Sequence, residues 1–210
     1  MAVPLSMLLG MPRKSARALW ADHLSGKSGS VAGPRASVPP LGARPPYHGV
    51  VLGVDPSLRG TGLAVVAFAG QEQVRLLTSQ VVRIHTRESM PTCLAEIFRT
   101  MTGLLESWQI RHVAVEETIF VQNYQTAQRL GAARGAVLTA AAIRGIPVFE
   151  YPPLRIKQAV CGFGRASKEQ MIRQVSGLLM LKEHLPTDAA DAVGAALCHA
   201  QNYNSAIAEL

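Results

Sequence analysis

Three apolar runs joined by turns too short to hold a helix constrain this chain most. "VVLGVD" (50–55), "TGLAVVAFAG" (61–70) and "VRLLTSQVVRI" (74–84) are linked only by "PSLRG" and "QEQ". Continuous apolar runs of this length, bounded by turn residues, read as strands buried on both faces, and connections this short make hairpins. The chain is therefore obliged early to build an antiparallel three-stranded sheet with two faces to cover.

The covers follow. "PTCLAEIFRTMTGLLESW" (91–108) places Leu94, Ile97, Phe98, Met101, Leu104, Leu105 and Trp108 at helical spacing. "HVAVEE" (112–117) and "IPVFEY" (146–151) read as two further buried strands, with the Ala-rich helix "YQTAQRLGAARGAVLTAAAIRG" (124–145) between them. "RIKQAVCGF", "SKEQMIRQVSGLLML" and "TDAADAVGAALCHAQ" read as helices, the last with Thr187 as its expected N-cap. The order βββαβαβα, followed by more helix, predicts an α/β fold. Its five-stranded mixed sheet has three antiparallel strands and two parallel ones added by crossovers, flanked by helices.

A length of 210 residues suits one domain, and no apolar run approaches the ~20 residues that cross a bilayer, so no membrane association is expected. Cys93, Cys161 and Cys198 are too scattered for a CxxC site, and their odd number argues against a disulfide framework. The net charge of +7 is unevenly spread: residues 1–47 hold six Lys/Arg against one acid, the remainder fifteen against thirteen. With seven prolines and six serines, residues 1–47 read as a disordered basic extension, 48–205 as the folded domain and 206–210 as a short tail. The Arg- and Ser-rich, acid-poor extension fits an organelle transit peptide; an unprocessed basic arm or a misplaced start fits as well.

Four acids carry the chemistry. Asp55 closes the first strand and Glu116 the fourth; alone, each has an ordinary explanation as a turn former or a solvent-facing strand end. Asp188, in a first helical turn, suits the helix dipole. Asp191, three residues on, shares its helix face, and Ala189, Ala190 and Ala192 let that helix lie close to its neighbours. If the first and fourth strands are parallel neighbours, their C-terminal ends bring Asp55 and Glu116 together, and the helix can deliver the other two. Four converging carboxylates repel unless cations hold them, and Mg²⁺ takes oxygen ligands. Two such ions about 4 Å apart activate a water and stabilise the leaving oxygen in phosphodiester hydrolysis.

"LGVDPSLRGTG", "VAVEETIFVQN", "RLGAARG", "IPVFEY", "RIKQAVCGFG", "SKEQM" and "DAADA", in this order and spacing over about residues 50 to 203, closely resemble the RuvC family of Holliday-junction resolvases. The resemblance implies a ribonuclease-H-like fold and a homodimer that nicks two opposed strands of four-way junction DNA symmetrically. It also implies two Mg²⁺ per subunit, with Mn²⁺ as a substitute, and the RuvA–RuvB branch-migration complex as a partner in a bacterial cytoplasm. Asp55, Glu116, Asp188 and Asp191 fall on the family's metal ligands. Glu116 rather than Glu117 takes that place, and strand alternation agrees, since neighbouring residues point to opposite faces. Lys157 and Lys168 match lysines near the family's active site, where ammonium groups stabilise charge building on the phosphate. Substrate contacts are expected from Arg59, Arg134 and the segment after the fourth strand. There the family usually carries a base-stacking aromatic three residues beyond the glutamate; this chain has Ile119, and the aromatic is Phe120. Gly131 and Gly135, on one helix face, suit close packing within the chain or, by resemblance, the dimer contact. Two rival readings are a ribonuclease-H-like nuclease acting on structured RNA and an inactive junction-binding scaffold.

Overall fold

The computed structural model describes residues 46–70, 73–118 and 123–203. The extension up to residue 45, expected to be disordered, the tail at 206–210, and both Ile119 and Phe120 lie outside the described residues. In chain order the elements are β1 (His48–Asp55), β2 (Gly60–Ala69), β3 (Val74–Arg83), α1 (Met90–Ser107), β4 (Ile110–Glu116), α2 (Tyr124–Ile143), β5 (Val148–Tyr151), α3 (Pro153–Cys161), α4 (Lys168–Leu178) and α5 (Thr187–Asn202). No helix among them is long and apolar enough to cross a membrane.

The five strands form one sheet in the order β3-β2-β1-β4-β5. β1 to β3 are antiparallel hairpins, while β4 adds parallel to β1 and β5 parallel to β4. This is the expected mixed sheet, and it places β1 at the centre.

Strand alternation then divides the core. Leu52, Val54, Leu63, Val65, Val113 and Val115 face α1 and α2, packing on Ile97, Met101, Ala133 and Val137. Val51, Ala64, Val66, Phe68 and Ala114 face the other way, toward α3, α4 and α5. Both faces are covered, so β1 and β2 read as unbroken apolar runs.

α5 is the most deeply set helix: Ala189, Ala190 and every residue from Ala192 to His199 are buried. Two sheet glycines let it sit there. A Cβ on Gly53 would stand 1.9 Å from the carbonyl oxygen of Ala192, and one on Gly62 would stand 1.9 Å from that of Asp188. The helix backbone therefore rests directly on the sheet backbone, which no side chain at either position would permit. Thr187 is not its N-cap. Pro186 occupies that position with no side-chain hydrogen bond, and Thr187 is the first helical residue. The proline's fixed φ starts the turn instead.

Along the α5 face of the sheet, the Tyr47 hydroxyl lies 2.8 Å from His112 Nδ1, that nitrogen 2.9 Å from His199 Nε2, and His199 Nδ1 2.8 Å from the Tyr151 hydroxyl. Phe149 and Tyr203 complete the cluster. Tyr47, which the sequence assigns to the extension, is buried in this core, so the packed chain starts earlier than residue 48.

Candidate active site

The alternation that sorts the core also aims the acids. Val51, Gly53 and Asp55 share the α5 face of β1, and His112, Ala114 and Glu116 share that face of β4. Because β1 and β4 are parallel neighbours, paired from Leu52–Val113 to Val54–Val115, their C-terminal ends set Asp55 and Glu116 side by side. α5 adds Asp191, and all three line a cleft of about 320 Å³ with Pro56, Leu130, Lys157 and Lys168. Asp188, one turn earlier on α5, is not among the residues lining that cleft. Its Oδ2 lies 3.4 Å from the place a Cβ would take on Gly60, beside the β1–β2 turn. That turn is tied by Thr61, whose hydroxyl donates to the Ser57 carbonyl and accepts from the Ser57 N–H.

The electrostatics match the geometry. Burial, reinforced by Asp191 and Asp188, pushes the Asp55 carboxyl up to about 7, against the pull of Lys168. Burial together with Asp55 and Asp191 pushes Glu116 up to about 8, with Lys157 and Lys168 opposing. Asp191 is raised as well by burial, with Lys168 opposing and Asp188 adding to the rise. Among the described residues none of the four acids is in a salt bridge. Half-buried carboxylates that repel one another and lack ion-pair partners are the donor set a hard divalent cation requires. No three of them among the described residues close a cage unaided.

Lys157, half-buried on α3, and Lys168, exposed as the first residue of α4, both line the cleft as expected. Glu117, also in its lining, lies one step past the strand and is exposed. Arg59 and Arg134 are engaged elsewhere. The Arg59 guanidinium donates to the carbonyls of His85 and Glu88, bracing the loop before α1. Arg134 Nε donates at 2.8 Å to Glu150 Oε2 in a bidentate ion pair. Neither lines the cleft. A Cβ on Gly131 or Gly135 would meet nothing within 4 Å, so the pair does not serve close packing inside the chain. Gly53 and Gly62 are the site-building residues that sequence reasoning missed. Their signal is spacing: Asp55 pairs with Gly62 and Gly53 with Ala64 across the β1–β2 hairpin.

Comparison with known proteins agrees. Residues 51–199 match the family described as Crossover junction endodeoxyribonuclease RuvC. Among curated proteins bearing that name, the one from Moorella thermoacetica is 46% identical over 153 residues, covering 72% of this chain and 90% of the relative. The one from Natranaerobius thermophilus is 37% identical over 155 residues, covering 73% and 96%. Among solved structures, T. thermophilus RuvC in complex with Holliday junction substrate superposes with a TM-score of 0.69 at 40% identity, over 73% of this chain and 93% of that one. Such matches along nearly the full length of each relative, added to acids delivered from β1, β4 and α5, establish that this chain belongs to the RuvC family of crossover junction endodeoxyribonucleases, hydrolases of ribonuclease-H-like fold that depend on divalent metal.

Proposed function

We propose that this protein is a structure-selective endonuclease that resolves Holliday junctions by paired symmetrical nicks during DNA recombination and repair. The observation that carries this reading is the meeting of Asp55, Glu116 and Asp191 in one cleft with Lys157 and Lys168. The solved relative bound to a Holliday junction supports the substrate class.

Asp55, Glu116, Asp188 and Asp191 would hold two Mg²⁺ per subunit, with Mn²⁺ as a substitute. When bound, the ions lower the pKa of an attacking water and neutralise charge on the leaving oxygen. The raised Asp55 and Glu116 carboxyls give up protons as cations enter, so metal affinity climbs with pH. Lys157 and Lys168 face the phosphate from the helical wall and stabilise the charge that builds on its oxygens. The sheet, held rigid on both faces, fixes Asp55 and Glu116, while Gly53 and Gly62 set the height of α5 and hence of Asp188 and Asp191.

Two opposed nicks need two clefts, and the open face of α2 around Gly131 and Gly135 suits a second copy of the chain. The RuvA–RuvB branch-migration complex would deliver junctions in the cytoplasm. Substrate contact by Ile119 or Phe120, Arg59 and Arg134 belongs to the same proposal. For the two arginines it requires release from their present partners.

A synthetic four-way junction incubated with the protein and Mg²⁺ tests the reading. Symmetrical nick pairs at preferred sequences are expected, with structured RNA left intact; cutting of RNA alone would overturn it. Asp191→Asn should abolish nicking while junction binding persists, because phosphate-contacting groups and metal ligands are different residues.

A further inference from the structure

We propose that the loop between α3 and α4 is a DNA-strand contact in its own right, with Phe163 stacking on a base beside the scissile phosphate and Arg165 pairing with a neighbouring phosphate. The proposal rests on the nuclease reading of the adjacent cleft, and goes beyond it in naming the groups that grip the strand.

The loop is short and pinned at both ends. α3 stops at Gly162, whose left-handed backbone (φ 82°) reverses the chain while its N–H donates to the Gln158 carbonyl. Ala166, 2% exposed, anchors the far side in the core formed by Ile156, Val160 and Met171. Ser167 then caps α4: its hydroxyl accepts from the Gln170 N–H, and its own N–H donates to Gln170 Oε1. Between these anchors Gly164 lies against Leu154, where a Cβ would come within 2.7 Å of Leu154 Cγ. What the loop presents outward is therefore fixed by its anchors.

It presents an aromatic and a cation. Phe163 is 48% exposed and Leu154, against which Gly164 packs, is 63% exposed, while the helices on either side of the loop carry Lys157 and Lys168 into the cleft. Arg165 is exposed and, among the described residues, has neither an ion-pair nor a hydrogen-bond partner. The cap engages the Gln170 N–H alone among the first amides of α4, and Arg165 and Lys168 supply the cations on this rim. Phe163 and Arg165 do not line the cleft themselves, but their loop joins the helices that bring Pro153, Lys157 and Lys168 to it, and an exposed aromatic beside an unpaired arginine there has the composition of a single-strand stacking platform.

The test measures junction binding in EDTA, with 2-aminopurine placed beside the cut site, and cleavage in Mg²⁺. Phe163→Ala and Phe163→Leu should each weaken binding about tenfold and unstack the probe, whereas Phe163→Trp should preserve both. Leucine keeps the apolar surface and loses only the π-face, so a packing role would spare it. Arg165→Ala should lower the slope of log K against log salt by about one, and Arg165→Lys should restore it. Phe163→Leu and Arg165→Ala behaving as wild type, on a wild type that binds and nicks the junction, would overturn this proposal and leave the nuclease reading standing. A wild type that neither binds nor nicks the junction would overturn both.

Discussion

At the scale of single residues, what matters is which side chains have an excuse to be where they are. Asp188 retains one, since an acid in the first turn of α5 suits the helix dipole. Asp191 has none: it is half-buried among buried alanines and unpaired among the described residues. That contrast was readable from "DAADA" alone. Gly53 and Gly62 were not readable, because their meaning depends on a register between strands and a helix more than a hundred residues apart. Gly53→Ala should therefore disturb the site from behind. Forcing a methyl against the Ala192 carbonyl is expected to cost about 3 kcal/mol, at the upper end of overpacking. Urea unfolding measures that loss, and nicking should fall further than the folded fraction does, because Asp188 and Asp191 ride on the displaced helix. Arg59 and Arg134 teach the converse lesson, since their guanidinium partners are carbonyls and a carboxylate that no local motif announces.

At the scale of elements, the hairpins and crossovers followed from connection length, which is why the sheet order was legible. The start of α5 was not, because proline can open a helix without supplying a cap, and Thr187 slipped one place inward. α2 keeps an open face. Tyr124 and Ile143 at its two ends are 73% and 66% exposed, and Gly131 and Gly135 leave open space between them. On the proposed dimer, the wild type should sediment as a dimer and Gly131→Arg on that face should give a folded chain with an unchanged melting temperature that sediments as a monomer. Dimers persisting in the variant would move the interface elsewhere.

At the scale of the whole molecule, two sets of buried groups pull stability in opposite directions with pH. Burial holds His112 down near about 4 and His199 near about 3, against an ordinary value of 6.5. The unfolded chain thus binds more protons in that interval, and the histidines' contribution, complete above pH 6.5, is lost as the pH falls. Asp55 and Glu116 do the reverse: raised to about 7 and about 8 from 3.8 and 4.5, they favour the folded state at low pH and cease to as the pH rises through 7 to 8. In EDTA, thermal melts should peak between about pH 4.5 and 6.5. Mg²⁺ should raise the melting temperature far more at pH 8 than at pH 5.5, since only deprotonated carboxylates bind it. An equal rise at both would mean that the acids do not hold the metal. The cluster on which those histidines sit has a further consequence. Tyr47 and Tyr203 meet in it edge to face, with ring centroids 5.5 Å apart. The backbone thus enters and leaves the core at one knot, about 25 Å along β1 from Asp55. Tyr47 and Tyr203, where the described core begins and ends, are held against each other at the end of β1 away from Asp55, so loosening either one unpins both.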